Sequence, residues 1–276
     1  MEFLMNSSHE VGVVLGRLEA WFAACPQAAV ALSGGVDSSL VAYVARQSLG
    51  FELVTAYLAD SPSLKRKDKR IAEDFCSRHD IRLVELETDE LGSPDYAANP
   101  SNRCYFCKST LYSKMSELLP EDGSIWILNG TNADDLGDYR PGLAAATEQR
   151  VRSPLAECGI DKAAVRGLAA RFDLACWNKP ASPCLSSRIP YGEAVTREKL
   201  GRIEAGEAIL ESLGFDVARV RHFEDRAVIE VEADRLGLLE AELPKIEEDF
   251  ERIGFDRVEI DREGFVTGKL NRVLGR

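Results

Sequence analysis

The most informative segment of this chain is Ser33-Gly34-Gly35-Val36-Asp37-Ser38, a loop of small residues between two apolar runs. Residues 28–32 (AAVAL) precede it without a turn former and residues 39–45 (SLVAYVA) follow it, so the order predicts strand, loop, helix. The two glycines let an anion approach the main chain, and the N–H groups of the loop and the helix N-terminus point at that anion. A carboxylate in such a loop makes chemical sense when a divalent cation accompanies a phosphate.

This loop resembles the pyrophosphate-binding loop of the PP-loop ATP pyrophosphatases, which cleave ATP to AMP and pyrophosphate while they adenylate a substrate. No lysine follows the glycines, which separates it from a Walker A motif. The resemblance implies that Asp37 binds Mg²⁺ and that five residues bind ATP: Ser33, Gly34, Gly35, Asp37 and Ser38. The alternative is an ordinary glycine-rich turn capped by serine or aspartate.

Strand patterns alternate with helical patterns over the first two thirds of the chain. This order predicts an α/β fold, a parallel sheet with helices on both faces, whose ligands bind beyond the carboxyl ends of the strands. We expect a PP-loop ATP pyrophosphatase domain over residues 1–185 and a small α+β domain over residues 186–276. Segment 129–135 (NGTNADD) follows the fourth predicted strand and is similar to the second nucleotide loop of PP-loop enzymes, which implies that Gly130 and Asn132 bind nucleotide. An acidic turn is the alternative for this segment.

Composition limits what the chain does. The net charge of −12 argues against a large nucleic-acid-binding surface, which is normally basic. No apolar run approaches the ~20 residues of a membrane span, and the first residues, MEFLMN, carry no export signal. We therefore expect a cytoplasmic protein that binds no membrane, and the charge disfavours a nucleic-acid partner without excluding a local basic pocket.

Seven cysteines in a protein expected in the cytoplasm indicate metal binding or catalysis rather than disulfides. Cys104 and Cys107 form a C-x-x-C element at a helix start, a spacing shared by zinc sites, redox pairs and iron–sulfur clusters. A partly buried thiol pair is the alternative, and Cys184, in a proline-rich segment, is a third candidate ligand. The remaining four lie in or beside helical apolar patterns and are predicted to be small buried residues: Cys25, Cys76, Cys158 and Cys176.

Several longer segments resemble the LarE family, the ATP-dependent sulfur transferases of nickel-pincer nucleotide synthesis, over nearly the whole chain. They are SGGVDS (33–38), CYFCKSTLY (104–112), DYRPGL (138–143), WNKPASPCLSSRIPYG (177–192) and SLGF…RVRHF (212–223). The resemblance implies that ATP adenylates a carboxylate of a pyridinium dicarboxylic acid mononucleotide and that sulfur then displaces AMP to leave a thiocarboxylate. It also implies a sulfide or persulfide donor and a homo-oligomer, such as a hexamer.

Members of this family differ in their sulfur source. One type sacrifices a single cysteine five residues before the arginine of the Ser-Ser-Arg segment, a position that Pro183 occupies here, with Cys184 one residue later. Another type uses three cysteines to hold a [4Fe–4S] cluster whose fourth iron carries an extra sulfide. The departure at Pro183 favours the second type, with Cys104, Cys107 and Cys184 as the cluster ligands.

Four charged residues of the second half are candidates for substrate binding. Arg219 and Arg221 alternate along a predicted strand and share a face, and Arg188 follows the cysteine loop; arginine grips phosphate or carboxylate in bidentate fashion. A solvated strand face with charge pairs is the alternative. Glu207 interrupts an apolar helix stripe, so we expect it to bind an arginine, a metal or the substrate, unless it lies at the boundary of the core.

Other classes of function stay open at this stage. A tRNA-thiolating PP-loop enzyme has the same three cysteines, but the acidic composition argues against it. In an amide-forming PP-loop ligase the cysteines would be incidental, and a nucleotide-binding regulator would release no pyrophosphate. His79 and His222 are predicted to lie at the surface or the core boundary, and none is needed as a general base.

Overall fold

The computed structural model describes residues 2–137, 141–266 and 269, with side chains described from residue 11 onward. Contacts divide the chain into two compact units. Unit 1 comprises Met1–Glu90 and Asn102–Ser182, and unit 2 comprises Leu91–Ser101 and Pro183–Arg276. The boundary expected between residues 185 and 186 stays a prediction of where independently folding domains meet.

The helices and strands alternate along the first unit and change pattern in the second. The strands are β1 (Ala28–Leu32), β2 (Val54–Asp60), β3 (Arg82–Glu87), β4 (Trp126–Leu128), β5 (Ala218–Phe223), β6 (Arg226–Val231) and β7 (Arg257–Ile260). The helices are α1 (Glu2–Phe22), α2 (Val36–Leu49), α3 (Arg66–Arg78), α4 (Pro94–Ala97), α5 (Arg103–Leu118), α6 (Pro141–Glu148), α7 (Pro154–Glu157), α8 (Lys162–Arg171), α9 (Arg197–Ser212) and α10 (Leu236–Arg252). None of the described helices is long and apolar enough to cross a bilayer.

Unit 1 is built on a parallel sheet with strand order β3-β2-β1-β4, which confirms the predicted fold class. The central strand β1 is buried along its whole length. Its alternate residues enter two different cores: Ala28, Val30 and Leu32 pack in one, and Ala29 and Ala31 in the other. Small and β-branched side chains on both faces thus let helices cover both faces of the sheet.

Unit 2 contains the predicted small α+β fold. Strands β5 and β6 are antiparallel, β7 runs parallel to β6, and a core of residues from α9, α10 and the three strands joins them. The short segment Leu91–Ser101 belongs to this unit because it binds the loop that follows Pro183. The hydroxyls of Tyr96 and Ser186 lie 2.7 Å apart, and Asn99 Nδ2 donates to the carbonyl of Pro190 at 2.7 Å.

The expectation that His222 lies at the surface is wrong. Its side chain belongs to the buried face of β5 and is 1% exposed, packed with its ring 5.1 Å from that of Phe255. Both ring nitrogens lack a hydrogen-bond partner in the described part of the chain. The alternation of β5 explains the error, because the even-numbered residues that include Val220 face the core.

Burial makes His222 a source of acid sensitivity. Burial, with a smaller contribution from Lys199 and Arg202, lowers its pKa from 6.5 to about 4. The unfolded chain therefore binds the proton first, so folding stability decreases as the pH falls from about 6.5 toward 4, by up to about 3 kcal/mol. Denaturant unfolding measured at several pH values in this range should show a smaller loss for His222→Phe than for the unmodified protein. An equal loss in both proteins would contradict this role.

Candidate active site

The loop between β1 and α2 is closed by its own serines. The backbone N–H of Ser33 donates to Ser38 Oγ at 3.1 Å, and the hydroxyls of the two residues lie 3.0 Å apart. Gly34 has φ +69°, and a Cβ added to it would lie 2.9 Å from the carbonyl oxygen of Asp68 in α3. Glycine is therefore required at position 34 for two reasons, backbone conformation and space.

The second predicted nucleotide loop packs against the first. A Cβ on Gly130 would lie 2.5 Å from the backbone nitrogen of Ser38, so the chain after β4 crosses directly over the first turn of α2. Asn132 Nδ2 donates to Asp37 Oδ1 at 3.1 Å, and the backbone N–H of Asn132 donates to the carboxylate of Asp135 at 3.1 Å. The structure thus brings the predicted residues of both loops together at the carboxyl ends of β1 and β4. Of the segment 138–143, residues Asp138, Tyr139 and Arg140 lie outside the described residues.

Two lysines that the sequence analysis missed lie at these loops. Lys162 Nζ donates to Asp37 Oδ2 at 2.5 Å, and it is the first residue of α8, whose N-terminus is capped by Asp161. Lys179 Nζ donates to the carbonyl of Gly34 at 3.0 Å and forms an ion pair with Asp68 at 2.8 Å. They supply the positive charge that a phosphate site needs and that residues 33–38 lack. The one sequence signal was the capping aspartate just before Lys162.

Lys179 and Ser182 fasten the proline-rich segment to α3. Ser182 Oγ donates to Asp68 Oδ2 at 2.7 Å, while Lys179 occupies the other carboxylate oxygen. Asp68 is buried, so both of its oxygens need such partners. The same residue therefore supports Gly34 through its backbone and the segment 179–182 through its side chain.

None of the three candidate cluster cysteines is in a disulfide, and each has access to solvent. Cys104 is exposed and Cys107 is half-buried in the first turn of α5, where a spacing of three residues puts them on one helix face. Cys107 Sγ donates to Glu90 Oε1 at 3.5 Å. Cys184, half-buried, directly precedes a single 3₁₀ turn in unit 2. Each thiol is thus suited to ligation, although the described residues contain no group of three or more His, Cys, Asp or Glu side chains arranged for a metal ion.

Burial protects three of the four remaining cysteines. Desolvation raises the pKa of Cys25 to about 11 and that of Cys76 to about 12, and it also raises the pKa of Cys176. These three are buried as predicted, which disfavours the reactive thiolate. Cys158 is only half-buried, so the prediction of full burial is wrong for it.

Two of the three arginines predicted to bind substrate form ion pairs with glutamates of unit 2. Arg188 binds Glu207 through Nε at 2.7 Å and donates to the carbonyl of Pro183 at 2.9 Å. Arg221 holds both oxygens of Glu230 at 2.9 Å and donates to the carbonyl of Ser187 at 2.7 Å. Both arginines thus hold the backbone of the loop that carries Cys184.

Arg219 differs from these two. It is 5% exposed, forms no ion pair within the part of the chain that the structure describes, and has its guanidinium carbon 4.2 Å from the centre of the Phe265 ring. Burial, together with the nearby charges of Arg188 and Arg221, lowers its pKa to about 10. The strand face is buried, which rules out the solvated alternative.

Comparison with known proteins identifies the family. The chain is 35% identical over 245 residues to the pyridinium-3,5-bisthiocarboxylic acid mononucleotide synthase of Lactiplantibacillus plantarum, a LarE protein, and the match covers 89% of each chain. The chain belongs to the LarE family. The LarE-family assignment confirms the resemblance found in the sequence and makes the chain a member of the ATP-dependent PP-loop enzymes.

Other relatives are consistent with the LarE family. An uncharacterized protein of Synechocystis sp. is 43% identical over 262 residues, 94% of this chain and 97% of its own length. The family model described as NAD synthase matches residues 23–94, which include the loop at residues 33–38. A tRNA-specific 2-thiouridylase of Clostridium botulinum is 25% identical over 66% of this chain and 61% of its own length.

The contact between Gly130 and α2 is testable by adding one methyl group. Gly130→Ala should displace the first turn of α2, because the clash is with backbone, and should lower pyrophosphate release roughly 100-fold. Gly137→Ala is the matched control, since a Cβ there meets nothing within 4 Å. The ATP affinity of both variants is measured by calorimetry, and their activity is measured by pyrophosphate release. Equal values for the two variants would contradict the packing of Gly130 against α2.

Proposed function

We propose that this chain uses ATP to adenylate a carboxylate of a pyridinium dicarboxylic acid mononucleotide and then converts it to a thiocarboxylate. The observation that carries the proposal is the 35% identity, over 89% of both chains, to a synthase named for the bisthiocarboxylic product. The geometry of the two loops at Asp37 supports the ATP-dependent half of the reaction. The three cysteines support the sulfur-dependent half.

In the first step a carboxylate oxygen of the substrate attacks the α-phosphorus of ATP and pyrophosphate leaves. The N–H groups of Gly34 and of the first turn of α2 stabilise the departing phosphates, as do the ammonium groups of Lys162 and Lys179. Asp37 is a half-buried carboxylate, and each of its oxygens accepts one hydrogen bond, from Asn132 or Lys162, so each keeps a lone pair that would bind Mg²⁺. The ion, when bound, would neutralise phosphate charge. In the second step a sulfur nucleophile attacks the acyl carbon, and AMP leaves with the carbon–oxygen bond electrons.

The sulfur supply is proposed to use Cys104, Cys107 and Cys184 as ligands of a [4Fe–4S] cluster. The thiols fit this role because none is deeply buried and none is in a disulfide. When bound, such a cluster supplies transferable sulfide without consuming a side chain. The protein's own contribution is to hold Cys184 in place through the bonds of Arg188 to the carbonyls of Pro183 and Cys184, at 2.9 and 3.4 Å.

The adenylation step is tested by replacing the loop carboxylate. Asp37→Asn removes the proposed Mg²⁺ ligand and should reduce substrate-dependent pyrophosphate release at least about 100-fold. Asp122→Asn, at an exposed turn, is the matched control and should retain activity. Mass spectrometry should detect replacement of a carboxylate oxygen by sulfur in the product of the unmodified enzyme. Full activity of Asp37→Asn, or a product without sulfur, would contradict the proposal.

The cluster is tested by iron and sulfide content after anaerobic preparation. Cys104→Ala, Cys107→Ala and Cys184→Ala should each lower the iron content and the visible absorption, because each removes one ligand. Cys158→Ala is the matched control, a half-buried thiol outside the proposed set, and should leave the iron content unchanged. If Cys104→Ala retains all its iron, the ligand assignment is wrong.

Thiolation of tRNA is the second candidate, because of the 25% identity to a tRNA-specific 2-thiouridylase. That match covers two thirds of the chain, and the net charge of −12 opposes binding to a polyanion. A gel shift with tRNA at low salt would favour tRNA thiolation over a small-molecule substrate. The homo-oligomer, the sulfide or persulfide donor and the cytoplasmic location stay predictions.

A further inference from the structure

The three arginines of the unit 2 site differ in how many of their donors are in use. Arg188 and Arg221 are each bound to a carboxylate and to backbone carbonyls of the loop at residues 183–187. Arg219 stands directly opposite Glu230 in the register of β5 and β6, which would normally form a cross-strand ion pair. Both oxygens of Glu230 are occupied by Arg221, however. Arg219 is therefore buried without an ion pair among the described residues, although the charges of Glu230 and Glu207 still favour its charged form.

Arg219 contacts the aromatic ring of Phe265 instead of a carboxylate. The guanidinium carbon of Arg219 lies 4.2 Å from the centre of the Phe265 ring, within the range of a cation–π contact. The guanidinium carbon lies over the face of the Phe265 ring, and this contact involves the charge of the guanidinium rather than a hydrogen bond donated to a polar acceptor. Phe265 thus holds the orientation of Arg219 without using its hydrogen-bond donors.

Phe265 is itself held firmly by the end of β6. Its backbone N–H donates to the carbonyl of Val231 at 2.8 Å, and Asp261 donates likewise to Ile229 at 2.9 Å. Gly264 just before it has φ +73°, and a Cβ there would lie 2.9 Å from the same Val231 oxygen. The turn that presents the ring is therefore built into the strand pairing, and it depends on a glycine at position 264.

We propose that Phe265 is a positioning residue, which keeps the donors of Arg219 aligned to receive an oxyanion of the substrate. This inference rests on the proposed function, in which the substrate carries a phosphate and ring carboxylates. A guanidinium with a fixed plane loses less conformational entropy when it binds such a group in bidentate fashion. Arg188 and Arg221 instead hold the cysteine loop.

The contact itself is tested by the side-chain ¹H–¹⁵N spectrum of arginine. The Arg219 Nε–H signal, assigned with Arg219→Lys, should show a ring-current shift in the unmodified protein. Phe265→Leu should abolish this shift, and Phe265→Tyr should retain it. Phe223→Leu is the matched control, since Phe223 stacks on Arg226 at 5.4 Å in the same unit, and Arg226 is already bound to Glu259. An Arg219 signal that is the same in Phe265→Leu and in the unmodified protein overturns the proposal.

The role in binding is tested with three probes, which are nicotinic acid mononucleotide, nicotinic acid riboside and nicotinamide mononucleotide. Phe265→Leu should weaken the mononucleotide about 3- to 30-fold and Arg219→Gln at least about tenfold, while Phe265→Tyr stays within about twofold of the unmodified protein. If the bound oxyanion is the phosphate, the affinity for the riboside, which has no phosphate, should not change in Phe265→Leu or Arg219→Gln. If the bound oxyanion is the carboxylate, the affinity for nicotinamide mononucleotide, which has no carboxylate, should not change in these two variants. Unchanged affinity of Phe265→Leu for every probe overturns the proposal.

Two further measurements separate this inference from the proposed function. Phe265→Leu should raise KM for the dicarboxylate mononucleotide and leave KM for ATP and the thermal midpoint unchanged, whereas a purely structural role would lower the midpoint of Phe265→Leu and Phe265→Tyr alike. Failure of the unmodified protein to release pyrophosphate would contradict the proposed function, while probe binding that depends on Phe265 would still support the positioning role. Normal turnover of the unmodified protein, together with an unaltered KM in Phe265→Leu, would support the proposed function and contradict the positioning role.

Discussion

The carboxylate of Asp37 joins three segments of unit 1 that are far apart in sequence. One oxygen accepts from Asn132 of the loop after β4, and the other from Lys162 at the start of α8. These bonds, together with the close approach of Gly130 to Ser38, place the donors of both loops and one lysine at the same edge of the sheet. Asp37 is half-buried, so these partners offset part of the cost of removing its charge from water, and the same contacts bring together the residues proposed to bind nucleotide.

Unit 2 uses buried charge in a different way. Two arginine–glutamate pairs, Arg188 with Glu207 and Arg221 with Glu230, are almost completely removed from solvent. Replacing either partner alone would leave an uncompensated buried charge, which typically costs about 3–5 kcal/mol. The backbone bonds of these arginines then hold the loop that contains Cys184, so the sulfur-bearing residue is positioned by ion pairs rather than by a regular element.

Local sequence patterns predicted most helices and strands. They failed where contacts between distant residues determine burial or the partner of a charge. Helix α8 begins at Lys162, because the side chain of Asp161 caps its N-terminus, and this start places Lys162 beside Asp37. Glu207 was identified as an acid on an apolar stripe that needs a partner, and it has one in Arg188. His222 was misjudged because a single polar residue in a short strand does not show which face it occupies.

The sequence by itself determined the α/β fold, the glycine-rich loop at residues 33–38, the candidate thiols and the family, since each depends on residue types at short spacing or on a contiguous motif. Only the tertiary structure decided which charges are satisfied. Lys162 and Lys179 reach the loop at residues 33–38 from segments more than a hundred residues away, and Arg219 forms no ion pair within the described residues because Arg221 holds Glu230. Pairing of this kind depends on distances between segments that are remote along the chain, and no local pattern encodes those distances.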